Sequence, residues 1–494
     1  MFAGRVTMAE STMADTTLAA LGSRVEGRAV GRVDVPITSV SHDSRRVEPG
    51  ALYACLRGND FDGHDFAPAA VAAGAVAVLA DHELDALASI SIGQLIVDDT
   101  RRRLGPLAAT VYGEPSQQLR TVGVTGTNGK TTTTQLLAAV WRAAGLEPGI
   151  VGTLQGAHTT PEAPELQRTL AAFVARGNDA AAIEVSSHAL ALHRVDGTAF
   201  DAVVFTNLGR DHLDLHGTQE EYLRAKARLF EASFSPLAVV NIDDPAGQLI
   251  ADTSSCQRVV GYAPSTLEDV RVDIDTHRYR WRGRLVEVPL GGRFNVANSL
   301  AVLVAATELG VDPDIAIAGL AEASPIPGRF DVVAHGDDNA RGVTVVVDYA
   351  HTPDGLSELL AAARHAAGAD SRVVAVVGAG GERDHDKRPE MGAVAADLAD
   401  HVVITSDNPR SEDPVAIVEA IRAGTNDGEA RVDALVDRGA AIAHAIEAAG
   451  RGDVVVIAGK GHETTQDLGD RRVTFDDRVV ARAALATLDG EVAE

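Results

Sequence analysis

VGVTGTNGKTTTT, residues 122–134, runs from an apolar β-like segment through a glycine turn into a threonine-rich helix start. Backbone N–H groups at a helix N-terminus bind anions, and a Gly-Lys-Thr sequence there completes a nucleotide-phosphate site. Gly126, Thr127, Asn128, Gly129, Lys130, Thr131 and Thr132 form the candidate loop. Lys130 suits the β- and γ-phosphates, and the Thr131 hydroxyl suits Mg²⁺. The general phosphate-loop pattern asks for glycine five residues before Gly129, where Val124 stands, so this is not the common NTPase loop. A strand–turn–helix of this kind predicts an α/β domain around it.

Outward from this stretch the pattern continues. AAAIEV (180–185), AVVFTN (202–207) and LAVVNI (237–242) are continuous apolar runs with β-branched residues, as buried parallel strands require. A second α/β section begins near PIPGRF (325–330), with strands expected at GVTVVVD (342–348), RVVAVVG (372–378), HVVITS (401–406) and DVVVIAG (453–459). Before both lies a smaller mixed section with GALYACLRG (50–58) and AGAVAVLAD (73–81) as strands around the helix FAPAAVAAG (66–74). YGEPSQQLR (112–120) reads as its closing linker. The expectation is three α/β domains: a mixed domain at 36–119, a central phosphate-loop domain with a parallel sheet at 120–326, and a Rossmann-like domain at 327–494. An extension at 1–35, poorly ordered at its start, precedes them, with Met1, Met8 and Met13 as possible starts.

Bulk numbers narrow the function. Over 494 residues the net charge is −26, which argues against a nucleic-acid partner and an anionic membrane surface. No apolar run is long enough to span a bilayer. Two distant cysteines give neither a disulfide framework nor a zinc spacing, and fit a reducing cytoplasm. A monomer is expected.

Lys and Arg total 44, yet only Lys130, Lys226, Lys387 and Lys460 are lysine. A lysine amine can be deprotonated and act as a nucleophile; a guanidinium cannot. Lys226 stands in EYLRAKARLF (221–230), downstream of IEVSSH (183–188) and FTNLGRDHLDLHG (205–217). Ligand sites in α/β sheets lie at the carboxyl ends of strands. Glu184 and His212 follow such ends, and oxygen ligands with one imidazole beside a triphosphate suit a second Mg²⁺ better than zinc.

GVTGTNGKTT, EVSSH, TNLGRDHLDLHG and YLRAKARLF together resemble the Mur ligase family, ATP-dependent amide ligases of peptidoglycan synthesis, from about residue 36 to 485. The resemblance implies that Lys130, Glu184, His212 and Lys226 are catalytic. It implies a carbamate on Lys226, formed from CO₂, that helps place one Mg²⁺ held by Glu184 and His212, with Thr131 on the other. Phe294 and Asn295 in GGRFNVANSLA (291–301) would face adenine. Arg329 in PGRFD (327–331), with Asp348 and His351 in VVDYAHTPDGL (346–356), would reach the ATP face.

The same resemblance points to a substrate. SDNPRSEDP (406–414) resembles the loop of ligases that add meso-diaminopimelate. Arg410 offers a planar fork to the far carboxylate, while Asp407 or Asn408 can meet the far ammonium, with Pro409 between. Arg383 in GAGGERDHDKRPEMG (378–392), and Gly459 and Glu463 in AGKGHE (458–463), complete the implied amino-acid site. SVSHDSRRVEPG (39–50) and RGNDFDGHDF (57–66) resemble uridine-nucleotide motifs, with Ser44 and His42 as contacts and Asn59 to Phe61 more loosely placed. Thr159, Thr160, Ser186 and Arg194 would hold the sugar-peptide of UDP-MurNAc-L-Ala-D-Glu. His158 stands where some relatives have Asn, and Leu192 where some have Gln. The implied reaction activates the D-Glu γ-carboxylate as an acyl phosphate, which the amine of meso-diaminopimelate attacks. The rival readings are a lysine-adding ligase of the same step, a folylpolyglutamate synthase-like ligase, a non-catalytic nucleotide switch and, weakest, a dinucleotide oxidoreductase with an incomplete glycine fingerprint.

Overall fold

The computed structural model describes residues 16–492 apart from 59, 88–89, 369, 383 and 427. Three sheets with helices on their faces follow one another along the chain. In the first, β1 (Arg28–Val30), β2 (Ser39–Ser41), β3 (Ala51–Ala54), β4 (Ala77–Ala80) and β5 (Gly93–Ile96) take the order β1-β5-β4-β3-β2. All pairs are parallel except β1 on β5. The sequence reading opened this unit at residue 36. The helix Leu18–Arg24 and β1 precede that point and belong to it: Leu18 and Leu21 are buried in the core with Leu52, Leu79 and Leu95. The expected linker at 112–120 also differs, since Pro115–Gln118 is a short helix started by its proline and the next strand begins at Arg120.

The second sheet comprises β6 (Arg120–Thr125), β7 (Pro148–Val151), β8 (Ala180–Glu184), β9 (Ala202–Phe205), β10 (Leu237–Asn241) and β11 (Arg258–Tyr262). Its order is β11-β10-β9-β6-β8-β7, all parallel. From β6 the chain builds first to one side and then to the other. That reversal opens a crevice at the carboxyl end of β6, where the glycine turn sits. β8, β9 and β10 are buried along their whole length, which explains their continuous apolar runs.

The sequence reading had no counterpart for β12 (Glu268–Val272), β13 (His277–Trp281) and β14 (Arg284–Val288), an antiparallel sheet. Its inner residues Tyr279, Trp281, Val286 and Val288 join the core that also holds Trp141 and the helix Phe294–Glu308.

The third sheet has β15 (Asp331–Ala334), β16 (Thr344–Asp348), β17 (Val373–Val377), β18 (His401–Ile404), β19 (Arg431–Ala434) and β20 (Val454–Ala458), ordered β15-β16-β20-β17-β18-β19. Only β15 is antiparallel. The hairpin β21 (Thr465–Asp467) and β22 (Arg472–Thr474) follows. No helix among the described residues is long and apolar enough to cross a membrane.

Candidate active site

The glycine turn is shaped by what crowds it. Gly129 caps the helix Lys130–Ala143 at φ +87°, and a Cβ there would lie 2.4 Å from Asn298 Oδ1. Only glycine takes both the left-handed backbone and the close approach. The end of β9 holds the turn from the other side. Asn128 N–H donates to Asn207 Oδ1 (2.9 Å), and Thr206 Oγ1 donates to the Asn128 carbonyl (2.6 Å).

Two lysines converge on this turn. Lys130 Nζ donates to the carbonyls of Gly126 and Thr127, both at 2.9 Å. Lys226 Nζ, 1 % exposed, donates to the same Gly126 carbonyl at 2.8 Å and stands 4.4 Å from the Tyr222 ring centre. Burial pushes the Lys226 amine well below its ordinary pKa, and the neighbouring Lys130 charge adds to this, against the pull of Asp211. Lys130 is also lowered by desolvation, with Glu184 and Asp211 opposing. Two cations on one carbonyl repel, so the arrangement favours a neutral Lys226, the form that can react with CO₂.

Opposite lies Glu184, fully buried at the end of β8. Its carboxylate accepts from Thr131 Oγ1 (2.9 Å), Thr153 N–H (3.1 Å) and Thr153 Oγ1 (3.0 Å). These are neutral donors only. Asp211 and His212, 3.3 Å apart, belong to a cluster of rings: the His188 and His212 ring centres are 4.6 Å apart, and those of His216 and Tyr222 5.2 Å. His212 opens the short helix Leu213–His216 in the left-handed region, φ +55°. Desolvation lowers its pKa, which leaves a neutral imidazole able to ligate. Burial alone would raise Asp211, but His351, His212 and Lys387 around it outweigh burial and hold its carboxyl below the usual range. A buried carboxylate with only neutral donors, a threonine hydroxyl and a neutral imidazole fit Mg²⁺, a hard cation.

The third sheet closes the crevice. Arg329 Nη2 donates to Thr131 Oγ1 (3.1 Å) and lies over Tyr349. His351 Nε2 is 3.9 Å from Asp211 Oδ2. Arg210 N–H donates to Asp354 Oδ2 (2.7 Å), and its guanidinium pairs with Glu390. Asp348 accepts from Phe330 N–H (2.6 Å) and Ala350 N–H (2.7 Å), so it fixes the backbone that carries Arg329 and His351.

At the same carboxyl edge of that sheet, loops from β18 and β20 are tied together. Lys460 Nζ, fully buried, donates to Asn408 Oδ1 (3.1 Å), Glu463 Oε2 (2.8 Å) and the Thr465 carbonyl (2.7 Å). Asn408 Nδ2 donates to Glu463 Oε2 (2.8 Å). A Cβ on Gly459, φ +116°, would meet Asp407 Oδ2 at 2.5 Å, so the carboxylate lies directly over that glycine. Beneath both loops, Arg438, fully buried and paired with Asp477, donates to the carbonyls of Ser406 (3.2 Å) and Ala458 (2.9 Å). Arg410, φ +53°, donates its backbone N–H to the Asp467 carbonyl (3.2 Å) and its guanidinium to the Gly381 carbonyl. Pro409 sits against Gly381.

These residues can be set beside known proteins. Residues 36–112 match the Mur ligase family catalytic domain, 124–306 the Mur ligase middle domain and 328–461 the Mur ligase glutamate ligase domain. A UDP-N-acetylmuramoyl-L-alanyl-D-glutamate–2,6-diaminopimelate ligase of Syntrophomonas wolfei is 43 % identical over 92 % of this chain and 96 % of its own. The chain belongs to the Mur ligase family. A solved structure of a protein of the same ligase name is 34 % identical, covering 93 % of this chain and 96 % of its own, with a TM-score of 0.65. The Thermotoga maritima MurF ligase, solved with ADP, shares the fold at 21 % identity, covering 92 % of this chain and 97 % of its own with a TM-score of 0.61. Membership of this family makes the chain an ATP-using ligase.

Within this Mur ligase the remaining expected residues fall as follows. Thr160 Oγ1 donates to the Glu184 carbonyl (2.8 Å) and approaches Ser186 Oγ (3.4 Å). Arg194 donates to the Thr160 carbonyl (3.1 Å) and pairs with Glu162 (2.9 Å). Thr159 meets Thr153 (3.0 Å), so this group adjoins the Glu184 pocket. In the first unit Ser44 starts the turn Ser44–Arg46, and His42 Nδ1 lies 3.5 Å from Glu165 Oε1 of the second unit. Phe294 packs edge-on to Phe330, 5.7 Å between centres. The Asn295 amide is engaged inside the fold, donating to the Gly291 carbonyl (2.7 Å) and accepting from Asn298 (2.9 Å). Arg383 and Asn59 lie outside the described residues. The sequence reading singled out neither Asp211 nor Thr153 nor Tyr222. The polar run RDHLD announces an Asp without saying which one turns inward.

Proposed function

We propose that the chain joins meso-2,6-diaminopimelate to the D-Glu γ-carboxylate of UDP-MurNAc-L-Ala-D-Glu, with ATP consumed to ADP and phosphate. The observation that carries this reading is one crevice at the carboxyl ends of two sheets. One wall carries the phosphate loop, Lys226 and Glu184; the other carries Arg329, His351 and the loops at 406–410 and 459–463. Relatives named for this reaction, at the identities given above, support it.

In this reading the loop N–H groups and Lys130 hold the ATP phosphates, and Arg329 approaches from the third unit. Thr131, Glu184 and neutral His212 would hold Mg²⁺, with Lys226 as a carbamate beside them. Bound there, Mg²⁺ would offset the charge of two anions brought together. Thr159, Thr160, Ser186 and Arg194 orient the acceptor so that its γ-carboxylate meets the γ-phosphate. The phosphoryl group passes to the carboxylate, the amine of diaminopimelate attacks the acyl carbon, and phosphate leaves. Arg410 exchanges a neutral carbonyl for the far carboxylate of the amino acid, a stronger, charge-assisted partner. The groove beside it is lined by Glu382, Glu412, Asp413, Asp467 and Asp470, which suits the far ammonium. Closure of the units on ATP, and CO₂ dependence through Lys226, belong to the same proposal.

The test is phosphate release by the purified chain with ATP and Mg²⁺. Release that requires both the UDP-linked dipeptide and the amino acid supports the reading. Release that is indifferent to the dipeptide refutes it.

A further inference from the structure

A second histidine cluster lies outside the crevice, at the carboxyl ends of β3 and β4. His64, its side chain 7 % exposed, follows β3 in the turn Gly63–Phe66. Its Nδ1 is 2.5 Å from Asp62 Oδ1. That contact draws the ring proton to Nδ1 and leaves a lone pair on Nε2. Nε2 is buried and has no hydrogen-bond partner, yet it stands 3.2 Å from Asp81 Oδ1, just past the end of β4. His82 Nδ1 is hydrogen-bonded to the same oxygen at 2.5 Å, so an ion bound there displaces the proton they share, and its ring stacks on His64 with centres 4.9 Å apart. The other Asp81 oxygen is held by Arg57 Nη2 at 3.0 Å.

A nitrogen lone pair facing a carboxylate oxygen at this distance is repulsive, because both are acceptors. A cation between them removes the conflict. We propose that His64 Nε2, Asp81 Oδ1 and His82 Nδ1 bind a divalent transition-metal ion of the zinc class. Two imidazoles and one carboxylate are the donor set such ions prefer over Mg²⁺. Tetrahedral bonds of about 2.0–2.1 Å put neighbouring ligand atoms about 3.3 Å apart. His64 and Asp81 already meet that spacing. His82, 56 % exposed, is free to back away from 2.5 Å. The outer partners are also in place: Asp62 orients His64, and Arg57 orients Asp81. A water would complete the fourth position. The ion ties the turn after β3 to the end of β4.

The cluster His401–Asp433–His444 is a useful contrast. There both Nε2 atoms and Arg431 converge on one Asp433 oxygen at 2.9, 2.9 and 2.8 Å. Both imidazoles are hydrogen-bonded to that carboxylate, so neither leaves a buried ring nitrogen without a partner as His64 does, and no ion is called for.

The experiment uses the full, metal-stripped chain with Mg²⁺ in excess to occupy hard-ligand sites. Co²⁺ is titrated and followed by visible absorption, and Zn²⁺ by calorimetry. One equivalent with the intense bands of a four-coordinate site is expected. His82→Ala, a change at an exposed side chain, and Asp81→Asn each weaken binding at least about tenfold and abolish those bands. Absence of stoichiometric Co²⁺ binding overturns the proposal. An unchanged spectrum and affinity in both variants also overturns it, since the ion then sits elsewhere, as at His188, His212 and His216.

Discussion

Replacing Arg438 by Met tests whether the amino-acid loops are held from beneath. Arg438 and Asp477 are both fully buried and joined by two bonds, Nε to Oδ1 at 2.8 Å and Nη2 to Oδ2 at 2.7 Å. The remaining donor capacity goes to the Ser406 and Ala458 carbonyls, one just before Asp407 and the other just before Gly459. Met fills the space but strands the Asp477 carboxylate and frees both carbonyls. Breaking one side of a buried pair costs about 3–5 kcal/mol. The double variant Arg438→Met, Asp477→Leu removes the stranded charge and regains most of that loss. It does not restore the bridge between the loops. Urea unfolding followed by third-unit signals, with KM measured separately for ATP and diaminopimelate, separates the two effects. The expected result is a large stability loss in the single variant, recovery in the double, and a raised KM for diaminopimelate in both, with the KM for ATP unchanged. A single variant within about 1 kcal/mol of the parent, or a double variant with the parental KM, refutes the reasoning.

Four further outcomes follow from the structure. Lys226→Arg keeps the length of the side chain but puts a permanent cation there and cannot form a carbamate; amide formation falls about 100-fold or more while nucleotide binding by calorimetry persists. The parent loses activity in CO₂-depleted buffer and regains it with bicarbonate, and indifference to bicarbonate speaks against the carbamate. Arg410→Lys gives up the planar fork, and the KM for diaminopimelate rises about tenfold to a hundredfold with little change in kcat; an unchanged KM removes Arg410 from the site. His277 is buried between the Leu290 carbonyl (2.6 Å) and Ser299 Oγ (2.9 Å), and burial lowers its pKa to about 4. Its folded pKa lies below the unfolded value of about 6.5, so the unfolded chain binds the proton first. Stability is therefore full above about pH 6.5 and falls by up to about 3 kcal/mol as the pH drops toward 4. Unfolding of the middle unit against pH shows that slope, and His277→Gln flattens it.

Much of this was legible because burial writes itself into sequence. β8, β9, β10, β16, β17, β18 and β20 are continuous apolar runs because helices cover both faces. The glycine turn was readable because anion binding at a helix start demands particular residues. The edge strands β1 and β15 were not, being short and only partly buried. β13 alternates as HRYRW, buried at His277, Tyr279 and Trp281, and period-2 reading could have found it. The support of the site was hidden for a different reason. Arg438, Asp477 and Thr153 act through bonds to residues distant in sequence, and no local spacing encodes such a bond.

The central claim is that this crevice makes one amide bond with one kind of amine. The direct measurement supplies the chain with ATP, Mg²⁺ and UDP-MurNAc-L-Ala-D-Glu, and offers meso-diaminopimelate and L-lysine in parallel, with products identified by mass. The account predicts tripeptide product with diaminopimelate and none with lysine. Product with lysine at a comparable rate would contradict the role given to Arg410, and product with neither would contradict the ligase itself.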